Sequence, residues 1–311
     1  MNRRIILDCD PGHDDAMAMM LAASKLNNLK LEAITTVAGN VDVEKNTNNA
    51  LRICDLLGLN DVPVAKGAAQ PLIRKMKAAA HVHGQSGLDG TTLPVEPFKQ
   101  IVKQHAVDLI IEKIIDSDGD ITIVPTGPLT NIALAIRKEP KIIPKIKEIV
   151  LMGGGTYGNR TPAAEFNIYV DAEAAKIVLE SGVPIEMFGL DVTHQALATS
   201  DRMMEMSAIN NPVAKAVMQM MNFYSQIYQG KLGFTGAAVH DPCPVAYLID
   251  PTMFEMERVR IDIETKGEFT YGMTCVYTNG MTDREPNANF ARTLNQDKFW
   301  DLFIRSLKSY S

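Results

Sequence analysis

Four aspartates, Asp8, Asp10, Asp14 and Asp15, fall within eight positions of the stretch "RRIILDCDPGHDDAMAMML". They lie between an apolar run that reads as a strand and another that reads as a helix. Carboxylates crowded at one strand end repel one another unless a cation or a set of hydrogen-bond donors compensates them. Pro11-Gly12 turns the chain, and Asp14 and Asp15 then occupy the first turn of the helix, where anionic side chains suit the free backbone donors and the helix dipole. Capping accounts for one or two aspartates. It leaves Asp8 and Asp10, whose spacing of two sends both to the same side of the strand. With no cysteine pair and few histidines alongside, an all-oxygen cluster points to a hard cation, Ca2+ or Mg2+, rather than zinc.

Further ligands for such an ion must come from other strand ends, and two segments offer them. "ITIVPTGPLTNIA" ends a buried-looking strand at Thr126-Gly127-Pro128, where the Thr126 carbonyl can face an ion. "AAVHDPCPVA" places His240-Asp241 directly before Pro242 and an apolar helix. Alone, the first is an ordinary strand-to-helix turn and the second a helix N-cap. With the aspartate cluster they complete an oxygen cage.

The elements that must position these groups follow from the hydrophobic pattern. Strand-like runs "IILDCD", "LEAITTVAGN", "VPVAKG", "ITIVPTG", "EIVLMGG" and "PIEMFGLDV" alternate with helical segments or loops, which argues for an α/β fold with a mostly parallel central sheet flanked by helices. Most of these runs end in Gly, Asn or Asp, at the carboxyl strand ends where open α/β sheets bind ligands. Two long irregular segments break the rhythm, residues 67–98 and the stretch "GGGTYGNRTPAAEFN" from Gly153, and such segments often form lids or binding loops. Helical pattern resumes from Ser200 to about Gly230, another helix starts in "VHDPCPVAYLI", and "VRIDIETKGEFTYGMTCVYT" reads as strands joined by a turn at Lys266-Gly267. No repeat or linker interrupts the chain, so a single domain over residues 1–311 is expected.

Composition narrows the function classes. The chain has 311 residues, 46% of them hydrophobic, enough for a sizeable core. A net charge of −6 and no dense run of Lys and Arg give no footprint for nucleic acid. No apolar run reaches the roughly 18 residues of a membrane span. The opening "MNRRIILDCDPGHDD" brings aspartates where a signal peptide needs its hydrophobic region, so the expectation is a cytoplasmic protein. Cys9, Cys54, Cys243 and Cys275 are widely spaced and read as buried free thiols.

These segments, with "AEFNIYVDAEAA" between them, strongly resemble the inosine-uridine preferring nucleoside hydrolase family, and "DCDPGHDDA" closely matches its signature DxDPGxDD. The resemblance runs from Arg4 to about Ile249. It implies Ca2+-dependent hydrolysis of the N-glycosidic bond of ribonucleosides such as uridine, inosine or cytidine, in a homotetramer or dimer. Position by position, it makes Asp10, Asp15, Asp241 and the Thr126 carbonyl the calcium ligands, with Asp10 also activating the attacking water. Ribose contacts fall on Asp14, Asn40, Glu165, Asn167 and Asp241, with Asn159 and Met152 also lining the sugar pocket. Asp8 has at most a supporting role. The chemistry asks for such groups independently: cleavage builds positive charge on the ribose ring, water must lose a proton on the face opposite the base, and a sugar offers only hydroxyls to hold.

The leaving base departs badly as an anion, so a proton or a strong hydrogen-bond donor is needed, and histidine suits neutral pH. By the resemblance, His240 matches the histidine given that role in purine-cleaving and broad-specificity relatives, and His83 matches one that contacts the base in the pyrimidine-preferring branch. His13, His105 and His194 have no such support and read as structural or exposed. Tyr224 and Tyr228 stand four apart on one helix face. Pyrimidine-preferring relatives offer a Gln and a Tyr there, whereas the matching positions here are Tyr228 and Leu232, so the base preference stays open between pyrimidine-specific and broad. Two other readings compete. One is a haloacid dehalogenase-type phosphatase with Asp8 as nucleophile, disfavoured by Pro11-Gly12 and by the lack of a late acidic pair. The other is a calcium-dependent nucleoside-binding protein without turnover, which a fold alone does not exclude.

Overall fold

In a computed structural model, the described residues are all except Met1, Ala79, Gly233, Asn279 and Ser311, with the side chains of residues 80, 81 and 229–232 also left out. The side chains of His81 and Leu232 therefore lie outside the described residues. The strands are β1 (Arg3–Cys9), β2 (Leu29–Thr36), β3 (Val64–Lys66), β4 (Ile121–Pro125), β5 (Glu148–Met152), β6 (Ile185–Phe188), β7 (Leu197–Ala198), β8 (Ala237–Ala238), β9 (Phe254–Ile263), β10 (Thr274–Tyr277) and β11 (Ala288–Leu294). Nine of them form one sheet in the order β10-β9-β11-β6-β5-β4-β1-β2-β3, while β7 and β8 pair separately. All pairings from β11 to β3 are parallel, and only β9 runs antiparallel to its neighbours.

The helices are α1 (His13–Ala23), α2 (Val43–Leu57), α3 (Ala80–His83), α4 (Ala106–Ile115), α5 (Thr130–Lys138), α6 (Phe166–Val170), α7 (Ala172–Leu179), α8 (Leu190–Thr193), α9 (Ser200–Ser207), α10 (Pro212–Leu232), α11 (Pro242–Ile249) and α12 (Gln296–Lys308). They cover both faces of the sheet and divide the core in two. One apolar cluster joins the sheet to α1, α2 and α9 to α12, the other to α4, α5 and α7. This is the mostly parallel, helix-flanked sheet expected from the alternating pattern.

The chain runs outward from β1 to β3 on one side and then from β4 onward on the other, so β1 and β4 flank the point where the strand order reverses. Open α/β sheets bind ligands in the crevice beyond such a point. Asp8 sits opposite both Thr35 and Pro125, which aligns the carboxyl ends of β1, β2 and β4 under one crevice.

Helix α1 is buried from His13 through Ala22, because α2, α10, α11 and α12 surround it. An enclosed helix needs no polar face, which explains "AMAMML". Its last turn is clasped by α12: Asn27 Nδ2 donates to Ser306 Oγ at 2.9 Å, Tyr310 donates to the Met20 carbonyl at 2.6 Å, and the Ser24 and Ser309 hydroxyls lie 3.1 Å apart.

Two local expectations need correction. The reversal between β9 and β10 is not a turn at Lys266-Gly267 but a longer connection through Gly272, which takes φ +79°. Glu264 Oε1 holds the amides of Lys266 and Gly267 at 2.7 and 3.1 Å, so that pair only bends the chain before it turns back. Of the four thiols, Cys9, Cys54 and Cys243 are buried but Cys275 is half-exposed, since it lies on edge strand β10.

Candidate active site

At the carboxyl ends of β1 and β4 lies a cavity of about 570 Å³. Its floor comes from the turn after β1. Asp10 Oδ2 accepts from the Asn40 amide at 2.7 Å, and Asn40 Nδ2 donates back to the Asp10 carbonyl at 2.9 Å. A Cβ at Gly39 would lie 1.9 Å from Asp10 Oδ2, and one at Gly127 would lie 2.5 Å from Oδ1. The two glycines let the β2 and β4 loops close on this carboxylate from both sides. Asp15 does cap α1, accepting from the Gly12 amide at 3.0 Å, but its other oxygen accepts from the Thr126 hydroxyl at 2.8 Å and ties the β1 and β4 loops together. Asp14 Oδ2 accepts from the His240 amide at 3.2 Å. Asp241 stands at the N-cap position of α11 yet makes no side-chain cap bond, so the simple capping reading fails for it.

Oxygens of Asp14, Asp15 and Asp241 lie within 4.8 Å of one another. Asp10 is not in this tightest trio but borders the cavity beside it. Among the described residues no Lys or Arg bonds to any of the four. Burial, together with the neighbouring carboxylates, pushes Asp10 and Asp241 well above the usual carboxylate range and Asp14 up to about 7; burial likewise raises Asp15. Such a set of buried, uncompensated, hard oxygen donors fits a divalent cation.

The residues expected to contact ribose are equally tied to backbone. Glu165 is buried: it caps α6 by accepting from the amides of Asn167 and Ile168 at 2.9 and 3.2 Å, and it accepts from Gly154 at 2.8 Å. Asn167 Nδ2 donates to the Thr126 carbonyl at 2.7 Å and lies 3.3 Å from the Met152 carbonyl. Asn159 Oδ1 accepts from the Phe166 amide at 2.9 Å.

The opposite wall is imidazole and phenol. His240 is buried between the Thr193 hydroxyl, 2.8 Å from Nδ1, and the Tyr228 hydroxyl, 2.6 Å from Nε2. Tyr224 donates to the Tyr228 oxygen at 3.4 Å. Burial, with His194 close by, holds His240 well below the ordinary histidine range, and therefore neutral. His83 enters from α3, its Nδ1 3.1 Å from Nδ1 of His13, whose Nε2 meets the Asp89 carbonyl at 2.9 Å.

Asp10, Asp14, Asn40, His83, Thr126, Met152, Asn159, Glu165, Asn167, Tyr228, His240 and Asp241 all border this cavity, while Asp15 lies buried behind it. Asp8 does not reach it; Oδ1 accepts from Thr35 and Asn131 at 2.6 and 2.8 Å. From residues 67–98, only Val82 and His83 reach the cavity among the described residues. His13 is buried rather than exposed, and His105 caps α4 through Nδ1. Sequence reasoning passed over His194, Tyr157, Arg160 and Phe166, which also border the cavity. Their signal is positional: each follows the carboxyl end of β5 or β6, as the other site residues follow β1 and β4.

The fold and site define an α/β protein with a buried carboxylate centre facing a cavity at the strand-order switch. The family model for inosine-uridine preferring nucleoside hydrolase matches residues 5–301. A Shewanella woodyi protein named pyrimidine-specific ribonucleoside hydrolase is 48% identical over 313 residues, covering 100% of both chains. Among solved structures, a plant nucleoside hydrolase superposes with a TM-score of 0.93 at 31% identity, covering 99% of each chain. A purine-preferring ribonucleoside hydrolase from Gardnerella vaginalis gives 0.91 at 33%, covering 98% of each. The chain belongs to the inosine-uridine preferring nucleoside hydrolase family. It is accordingly an enzyme, a nucleoside N-glycosidase, and the phosphatase reading of Asp8 is set aside.

Proposed function

We propose that this enzyme hydrolyses the N-glycosidic bond of ribonucleosides to ribose and free base, taking uridine and cytidine ahead of inosine. The observation that carries the reading is the gathering of the expected ribose and base contacts around one cavity at the strand-order switch. The pyrimidine preference rests on the relative at 48% identity.

Asp14, Asn40, Asn159, Glu165, Asn167 and Asp241 hold the ribose hydroxyls, with Met152 packing beside the sugar. Asp10, Asp15, Asp241 and the Thr126 carbonyl are the ligands we assign to Ca2+, with Asp14 near enough to share the charge. When bound, the ion supplies Lewis acidity to water and to the sugar hydroxyls. Asp10 accepts the proton of the attacking water, as a carboxylate within reach of the ion can. The anionic floor stabilises the positive charge that grows on the ribose ring. On the other face, His240 and Tyr228 form a hydrogen-bonded pair that donates to the departing base, and His83 contacts the base edge. We further propose one domain across residues 1–311, assembly as a homotetramer or dimer, and a cytoplasmic location; among the described residues no helix is long and apolar enough to cross a membrane.

The test is reducing-sugar release from uridine, cytidine, inosine and adenosine, with calcium and with a chelator. Chelator-sensitive release led by the two pyrimidines is expected. Release led by inosine would overturn the base preference, and no release from any of the four would overturn the reaction.

A further inference from the structure

His194 follows α8, and its imidazole borders the cavity 5.4 Å from the His240 ring and 4.9 Å from Phe234. Its Nδ1 lies 2.9 Å from the Tyr157 hydroxyl, which in turn lies 3.1 Å from the Leu190 carbonyl. A carbonyl only accepts, so the phenol proton goes to Leu190 and the phenol oxygen accepts from Nδ1–H of His194. A neutral imidazole has one N–H, so this arrangement leaves Nε2 with its lone pair. Burial pushes the His194 pKa down to about 4, with Asp191 opposing, and keeps the ring neutral under ordinary conditions. Nε2 has no hydrogen-bond partner among the described residues. The expected sugar contacts Asp14, Asn40 and Asn167 border the same cavity, and Phe234 packs against the His194 ring within it. A planar base bound in this cavity would share it with the imidazole of His194.

We infer that His194 is a specificity-determining residue that accepts a hydrogen bond from an N–H on the base edge, N3–H of uracil in the first instance, and that Tyr157 is the positioning residue that fixes its tautomer. The inference rests on the ribonucleoside reading above. It gives a chemical reason for favouring bases with a donor at that edge: a pocket acceptor left without its donor is a strong discriminator, whereas apolar contacts discriminate weakly.

The experiment compares kcat/KM for uridine and 3-methyluridine, which lacks the N3 proton, in the intact calcium-loaded enzyme and in His194→Ala and Tyr157→Phe. The unmodified enzyme should favour uridine by about tenfold or more. His194→Ala should lose about tenfold on uridine and little on 3-methyluridine, so the ratio falls toward one. Tyr157→Phe keeps the ring but not the hydroxyl, and should move the ratio the same way by about threefold. Inhibition by D-ribose reads the sugar end and should stay within about twofold in both variants, as expected for a contact confined to the base. Equal losses on both substrates, a ratio near one in the unmodified enzyme, or weakened ribose inhibition would each overturn the inference. Failure of the unmodified enzyme to release ribose from either substrate would instead overturn the reaction itself, and this inference with it.

Discussion

The carboxylate floor of the cavity is fastened by backbone amides, whereas its imidazole and phenol wall is fastened by side chains bonding to one another. Asp10, Asp14, Asp15 and Glu165 accept from the amides of Asn40, His240, Gly12 and Gly154. His240, His83 and His194 lean on Thr193 and Tyr228, on His13, and on Tyr157. Backbone donors stay in place whatever side chains surround them, so the floor is tied to the fold itself. The wall's ring-to-hydroxyl and ring-to-ring contacts each depend on a particular pair of side chains, and substitution can remake them without moving a strand. On the proposed reading, the difference separates reaction from preference: the sugar chemistry falls to the sheet ends, and the choice of base falls to the wall.

The largest expected effect tests the floor. Asp10→Asn preserves the shape and the acceptor for the Asn40 amide but removes the base, and should lower kcat by about 10²- to 10⁴-fold for every substrate. A normal rate of ribose release in this variant would end the assignment of Asp10.

The next separates floor from wall. His240→Ala should cost about 10²-fold on uridine, whose base needs a proton to leave, and only a few-fold on 4-nitrophenyl riboside, whose leaving group departs unaided. Asp10→Asn should damage both substrates alike. Equal losses from His240→Ala would mean that His240 holds the sugar floor in place instead of assisting the base.

A smaller effect concerns the floor's charge. Asp14 is lifted from 3.8 to about 7, chiefly by burial, and Asp10, Asp15 and Asp241 are raised as well. As pH rises through that window, the unfolded chain has already released these protons while the ion-free folded chain still holds them, so its stability falls. Cation binding needs the deprotonated carboxylates, so the gain in Tm from added calcium should be greater at about pH 8 than at about pH 5. Thermal scans with calcium and with a chelator at both values check this, and a gain independent of pH would remove these aspartates from the ion site.

The smallest effect sharpens the wall. Tyr224 reaches Tyr228 only at 3.4 Å. Tyr224→Phe should therefore change kcat on uridine by less than about threefold, consistent with one long hydrogen bond. A larger loss, measured by the same sugar assay, would make Tyr224 a working member of the relay.

The floor was legible in the sequence because its residues follow strand ends in short, charge-dense motifs, and four carboxylates in eight positions have few structural excuses. The parallel sheet was legible for a similar reason, since its strands are continuous apolar runs bounded by Gly, Asn or Asp. The wall was less so. Tyr224 and Tyr228 look like core residues, and they are also buried. His194 carries no motif, and what places it at the cavity is the path of β6 into α8, together with a bond to Tyr157 across a separation of 37 residues. Glu165 was legible only through the family resemblance, because its three amide partners come from both the α6 turn and the loop after β5, which no local pattern joins.

The clasp between α1 and α12 has a bearing on how the molecule is made. Tyr310 is 290 residues along the chain from the Met20 carbonyl that it binds. A ribosome therefore delivers Asp10, Asp14 and Asp15 well before the last cover for their helix. Until then α1, which has no polar face, stays partly uncovered, and transiently exposed apolar surface of that kind makes a folding intermediate prone to aggregate. The aspartates of the cluster are thus translated long before the helix that carries two of them can be sealed.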